Sequence, residues 1–166
     1  MTDKPLSFNF TLFQLTQTNH AHLQEENRKV TPVEESKLSE CAQLLEVCRG
    51  VLDQEIDVHS GRRCAALNKR VGSSDKSQHL RCEAVDFSPR GPDDEKTIDV
   101  AFHKLIDAAI QGKLKFGQLI FESSANGREG RSVWLHISLG LPYRDQARCG
   151  QALTMRDGHY ELVAKV

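Results

Sequence analysis

The run Ser132-Val133-Trp134-Leu135-His136-Ile137-Ser138-Leu139 alternates apolar and polar residues. Successive side chains of a β-strand point to opposite faces. Val133, Leu135, Ile137 and Leu139 therefore share one wholly apolar face that must be buried. Trp134, His136 and Ser138 share the opposite face, which places a histidine beside an aromatic wall. Upstream, Leu119-Ile120-Phe121-Glu122 reads as a second strand. Only a polar, glycine-containing stretch from Ser123 to Arg131 separates the two. Strands joined by a loop alone pair antiparallel.

The same reading extends outward. Ala84-Val85-Asp86-Phe87 is a short strand with Val85 and Phe87 on one side and Ala84 and Asp86 on the other. Glu55-Ile56-Asp57-Val58-His59-Ser60 alternates until Gly61 breaks it, and Asp157-Gly158 suggests a terminal hairpin. Thr31-Pro32-Val33-Glu34 carries a helix start: a capping threonine, proline in the first turn and glutamate to close a capping box. Leu38, Cys41, Leu45, Cys48 and Leu52 follow at helical spacing and make one buried stripe. On it, Cys41 and Cys48 act as small hydrophobes. A short helix is expected over Arg63 to Arg70. A longer one runs from Glu95 to Gln111, with Ile98, Phe102, Leu105 and Ala109 on one face and Gly112 as its stop. The expected fold class is α+β: an antiparallel sheet with helices packed on it.

Composition narrows the rest. The chain has 166 residues, the size of a single domain spanning 1–166. A formal net charge of −1 gives no bulk attraction for nucleic acid or an anionic membrane. No apolar run nears the ~20 residues of a membrane span. The N-terminus lacks a basic-then-apolar signal pattern, so the expectation is a cytoplasmic, monomeric product as synthesised. The five cysteines, Cys41, Cys48, Cys64, Cys82 and Cys149, are odd in number and include no Cys-x-x-Cys pair. They are expected to stay thiols.

Asp86 sits between apolar neighbours, where a carboxylate needs solvent, a partner or a cation. With His79 and His136 it makes two imidazoles and one carboxylate, all good zinc ligands, leaving one tetrahedral position open as a catalytic site requires. Alone this set is weak, because a strand histidine is more often a hydrogen-bonded structural residue.

Several motifs occur in order: Ser60-Gly61-Arg62-Arg63, Leu67-Asn68, Val71-Gly72, Ser77-Gln78-His79, Ala84-Val85-Asp86 and Trp134-Leu135-His136-Ile137-Ser138. Together, from about Phe10 to Ser138, they resemble the zinc D-alanyl-D-alanine carboxypeptidase family. That family includes cell-wall peptidases and phage endolysins and shares its fold with Hedgehog signalling domains. The interval from His79 to Asp86 matches the family's S-x-H-x(6)-D pattern. The resemblance implies one zinc ion held by His79, Asp86 and His136, and a peptidoglycan stem peptide as substrate. It implies Arg63 as the arginine of an S-G-Y-R motif, binding a substrate carboxylate or stabilising the oxyanion. Ser77 would lie near the bound peptide, and Asn68 would brace its loop. The bond is left open between D-Ala-D-Ala and L-Ala-D-Glu. A phage or prophage lysis enzyme, acting on the wall after release, fits the family's habits.

Three positions depart from the family pattern. Arg62 stands where tyrosine is usual. Val133 and Trp134 occupy the positions where many members carry the general base, and neither accepts a proton. Glu122 is the first replacement, since one family branch reads L-I-x-E ahead of W-x-H-x-S; Glu129 is the second. Cys82 replaces a usual glycine, and either packs against the sheet or joins the metal. These departures keep an alternative open: a zinc-stabilised binding or structural module without catalysis.

Overall fold

The computed structural model describes residues 3–92, 94–125 and 131–166. Five α-helices occur among them: α1 (Leu12–Thr16), α2 (Gln24–Arg28), α3 (Pro32–Leu52), α4 (Ala65–Arg70) and α5 (Glu95–Ile110). The strands are β1 (Ile56–Ser60), β2 (Ala84–Pro89), β3 (Gln118–Ala125), β4 (Arg131–Ser138), β5 (Gln151–Arg156) and β6 (His159–Lys165). They form one sheet in the order β1-β2-β4-β3-β5-β6, with helices packed against it, as the α+β reading expects.

The long helices start where the sequence places them. At α3, Thr31 Oγ1 accepts from the Glu34 backbone N–H at 3.2 Å, and Glu34 Oε2 accepts from the Thr31 N–H at 2.8 Å. This closed capping box satisfies two N–H groups that a helix start otherwise leaves orphaned. The stripe Leu38, Cys41, Leu45, Cys48 and Leu52 is buried throughout. At α5, Asp94 caps Thr97 at 2.8 Å, and Ile98, Phe102, Leu105 and Ala109 face inward. Both helices pack on the sheet face that carries Val85, Phe87, Leu119, Phe121, Val133, Leu135 and Ile137. The opposite face is left to Asp86, Glu122, Trp134 and His136. No helix among the described residues is long and apolar enough to cross a membrane.

Three local expectations shift. The strand holding Glu122 continues to Ala125, and its partner begins at Arg131, so the expected loop over Ser123–Arg131 is shorter. The polar residues continue the ladder because Ser123 is fully buried and its hydroxyl accepts from Arg131 Nε at 2.6 Å. The helix expected from Arg63 starts at Ala65, because the Arg63 N–H is taken by the His79 carbonyl at 3.1 Å.

The third shift is topological. Every pairing is antiparallel except β3 with β5, which is parallel. After β4 the chain passes across the start of β3 and rises on its far side. Gly117 permits this crossing: a Cβ there would lie 2.2 Å from the Leu139 carbonyl oxygen.

Candidate metal centre

Three elements converge on the open face. β2 supplies Asp86, and β4 supplies His136 directly opposite it in the antiparallel ladder. A 3-10 turn, Gln78–Arg81, supplies His79. The turn is capped by Ser77, whose hydroxyl accepts from the His79 N–H at 3.3 Å, so Ser77 helps present the ligand as well as lining the cleft.

The three inner atoms form a small triangle. His79 Nε2 lies 3.1 Å from Asp86 Oδ1 and 3.3 Å from His136 Nδ1, and His136 Nδ1 lies 2.8 Å from Asp86 Oδ1. A tetrahedral ion with ligand bonds of about 2.0–2.1 Å needs donor atoms roughly 3.3 Å apart. The spacing fits such an ion, and these three residues are the metal-ligating group found among the described residues.

The outer ring atoms fix the chemistry of the inner ones. His79 Nδ1 lies 2.6 Å from the Gly61 carbonyl oxygen, and His136 Nε2 lies 3.1 Å from Gln78 Oε1. Both partners are acceptors, so each neutral ring carries its hydrogen outward and turns a lone pair inward. Two lone pairs and a carboxylate oxygen then face one another in a buried space. A shared cation satisfies all three at once. Burial favours the neutral acid at Asp86; without a cation between the three residues, positive charge on the facing His79 and His136 rings opposes it and holds the carboxyl well below the usual range.

Arg63 takes the remaining Asp86 oxygen. Its Nη2 donates to Asp86 Oδ2 at 2.7 Å and its Nε to Ser60 Oγ at 3.0 Å. The guanidinium thus aims Oδ1 at the metal position, a role the sequence reading did not assign to it. Arg62 turns away: it pairs with Glu34 and donates to the Glu26 and Asn27 carbonyls, tying the motif to α2 and α3. Asn68 donates to the Ser73 and Ser74 carbonyls at 3.2 and 3.1 Å and braces its loop as expected.

Glu122 and Trp134 are cross-strand partners, one ladder step from the His136 row. The Trp134 indole, whose one donor is its N–H, stands beside the Glu122 carboxyl and favours its charged form. Burial and the Asp86 charge push the Glu122 carboxyl up to about 7 against the opposing pull of His136, Arg63 and this indole. Val133 faces the core, as alternation requires. Glu129 lies outside the described residues. Cys82 adopts φ of +58°, the left-handed region that favours glycine, yet its side chain is fully buried in the core. Burial pushes the thiol up to about 12, and Cys82 does not join the triad.

These residues line a cleft of about 970 Å³ that continues to Arg144, Arg148, Met155 and Tyr160. A groove of about 1000 Å³ near Leu114, Phe116 and Leu141 is similar in size, but holds no metal-ligating set among the described residues. Sequence reasoning missed Gly61 and Gln78 as ring-orienting acceptors, and missed the whole C-terminal wall. Gln78 precedes His79 directly, but nothing in that adjacency says it would reach His136.

An α+β sheet bearing two histidines and one carboxylate around a single point, with a further carboxylate on the same face, is a donor set that suits one divalent ion and leaves a position open. The chain matches the Peptidase M15 family over residues 13–120, well over half its length, and it belongs to that family of zinc-dependent peptidases. The match includes His79 and Asp86 and ends before Glu122 and His136. No curated protein matches the chain.

Proposed function

We propose that this chain is a zinc peptidase hydrolysing a peptide bond in peptidoglycan stem peptides, with His79, Asp86 and His136 holding one zinc ion. The observation that carries the reading is the triangle of inward-facing donor atoms with Glu122 one ladder step along the same open face. When bound there, zinc supplies Lewis acidity to the reacting carbonyl and makes water more acidic.

The chain's own residues do the rest. Glu122, near neutrality in its ionisation, takes the proton of the attacking water at a carboxylate oxygen and returns it to the leaving amine. The Trp134 indole stands beside that carboxylate and favours its charged form. Arg63 keeps Asp86 oriented and presents its remaining N–H groups to the cleft, where they favour the developing oxyanion or a substrate carboxylate. Ser77 and Trp134 contribute to the wall against which the peptide lies. The bond is D-Ala-D-Ala, a carboxypeptidase reaction, or L-Ala-D-Glu, an endopeptidase reaction. A phage or prophage lysis enzyme, acting as a one-domain monomer on the wall, is the setting this chemistry suits.

The test is Glu122→Gln. The zinc-loaded wild type releases free amines from purified peptidoglycan, and mass spectrometry of a defined muropeptide identifies the bond. The variant keeps stoichiometric zinc and loses hydrolysis by at least about 100-fold. No amine release by the wild type on any wall type would favour the non-catalytic module instead.

A further inference from the structure

The far end of the cleft carries charge that hydrolysis does not use. The connection over residues 139–150 lies against the start of β3: Gly150 N–H donates to the Phe116 carbonyl at 3.0 Å and Gln151 N–H to the Gly117 carbonyl at 3.3 Å. It brings Arg144 and Arg148 into the cleft lining. Arg144 Nε donates to the Arg148 carbonyl at 2.8 Å, and its Nη2 donates to Gln151 Oε1 at 3.4 Å. Gln151 stands opposite Gln118, two residues before Ile120, which faces His136. Two residues of strand span about 7 Å. Through its hydrogen bond to Gln151, Arg144 therefore reaches a row two residues along the sheet from the metal row, on the side away from Glu122, and Arg148 lines the same cleft beside it.

Neither arginine forms an ion pair with a carboxylate among the described residues. Arg81, the third arginine of this wall, is paired to Glu83, which is shared with Lys37. Arg144 is partly buried and Arg148 is exposed; burial together with the Arg148 charge pulls the Arg144 pKa down, against the opposing pull of Cys149 and Asp145. A partly buried guanidinium beside a second arginine, engaged in no ion pair, is an arrangement that a bound anion stabilises. Its planar fork suits a carboxylate.

We propose that Arg144 and Arg148 form a carboxylate subsite that reads an acidic peptide about two residues from the bond cut. An extended peptide advances about 3.3–3.6 Å per residue, so a carboxylate two residues from the reacting carbonyl reaches this row. The inference rests on the peptidase reading for the identity of its ligand, and it adds a selection for free over amidated stem peptides.

The probes are the synthetic pentapeptide L-Ala-γ-D-Glu-L-Lys-D-Ala-D-Ala, the same peptide amidated at the D-Glu α-carboxylate, and a third amidated at the C-terminus. Trp134 is the sole tryptophan and lines the cleft, so its fluorescence reports binding without turnover. In zinc-loaded protein carrying Glu122→Gln, amidation of the D-Glu α-carboxylate weakens binding by about tenfold or more, and the C-terminal amide is the control for a carboxylate at another distance. Adding Arg144→Gln and Arg148→Gln abolishes that difference without changing zinc content or melting temperature. Arg144→Lys with Arg148→Lys, which keeps charge but loses the fork, retains part of it. Equal binding of all three peptides by the parent protein overturns the subsite, and so does undiminished discrimination in the double glutamine variant. Discrimination without any cleavage by the Glu122-containing enzyme sinks the peptidase reading and leaves the subsite. Cleavage without discrimination does the reverse.

Discussion

Glu122 is a buried carboxyl that the fold holds against its own preference for solvent. Burial, reinforced by the Asp86 charge, raises its folded pKa to about 7 from an ordinary value of 4.5. Below pH 4.5 both folded and unfolded chains are protonated there, and the residue's stabilising contribution is fully present. Between 4.5 and 7 the unfolded chain loses its proton first, so that contribution is lost as pH rises through the folded value. Glutamine carries no charge at any of these pH values. In zinc-free protein, Glu122→Gln should therefore match the wild type near pH 4 and exceed its stability above pH 7, by on the order of 2 kcal/mol. Denaturant melts across pH 4–8 measure this, and a constant offset between the two proteins would contradict it. The place of Glu122 beside the His136 strand was legible in its motif, but its pKa was not, because that depends on Asp86 and Trp134 arriving from other strands. Cys82 was legible only as a departure; its backbone angle and its burial in the core needed coordinates.

At the scale of elements, the site depends on a contact between α1 and the end of β1. The Gly61 carbonyl that orients His79 sits where a Cβ would lie 2.3 Å from the Leu15 carbonyl oxygen, and that oxygen also accepts the Arg62 N–H at 2.8 Å. Gly61→Ala must push α1 and the Gly61 peptide apart. The expected cost is about 1–3 kcal/mol in stability, with roughly 10–100-fold weaker zinc binding as His79 loses its orienting acceptor. Gly50→Ala is the control: a Cβ there meets nothing within 4 Å, so this variant should gain about 0.5–1 kcal/mol and bind zinc as the wild type does. Chelator competition and denaturant melts separate the two, and undiminished zinc affinity in Gly61→Ala would show that His79 needs no such support. The helices α3 and α5 and the strands β2, β3 and β4 were readable because each carries its own periodicity and caps. The parallel pairing of β5 with β3 was not. Strand alternation says which face is buried but not which neighbour is chosen, and the choice here follows from Gly117 letting the chain cross at close range.

For the whole molecule, the core and the metal centre occupy opposite faces of one sheet, and this separation sets what metal removal does. The buried cluster built on α3, α5 and the inner sheet face includes none of His79, Asp86 and His136. Unlike a small zinc finger, the chain has an apolar core built without the three candidate ligands, and that core is expected to stand without an ion. A formal net charge of −1 conceals both the cationic wall at Arg144 and the buried acceptors of the triad, so neither was legible from composition. At free zinc near a thousandfold above its dissociation constant, binding stabilises by about 4 kcal/mol. For a chain of this size, each kcal/mol moves the melting temperature by roughly 2–4 °C. Chelation should therefore lower the melting temperature by about 8–16 °C while leaving the far-ultraviolet circular dichroism at 25 °C unchanged. Amide exchange should quicken first in the turn Gln78–Arg81, which a bound ion would tie to β2 and β4 through His79, Asp86 and His136. Loss of helical signal at 25 °C on chelation would mean that the core does depend on the ion. An unmoved melting temperature would mean that the three inward-facing donors hold no metal at all.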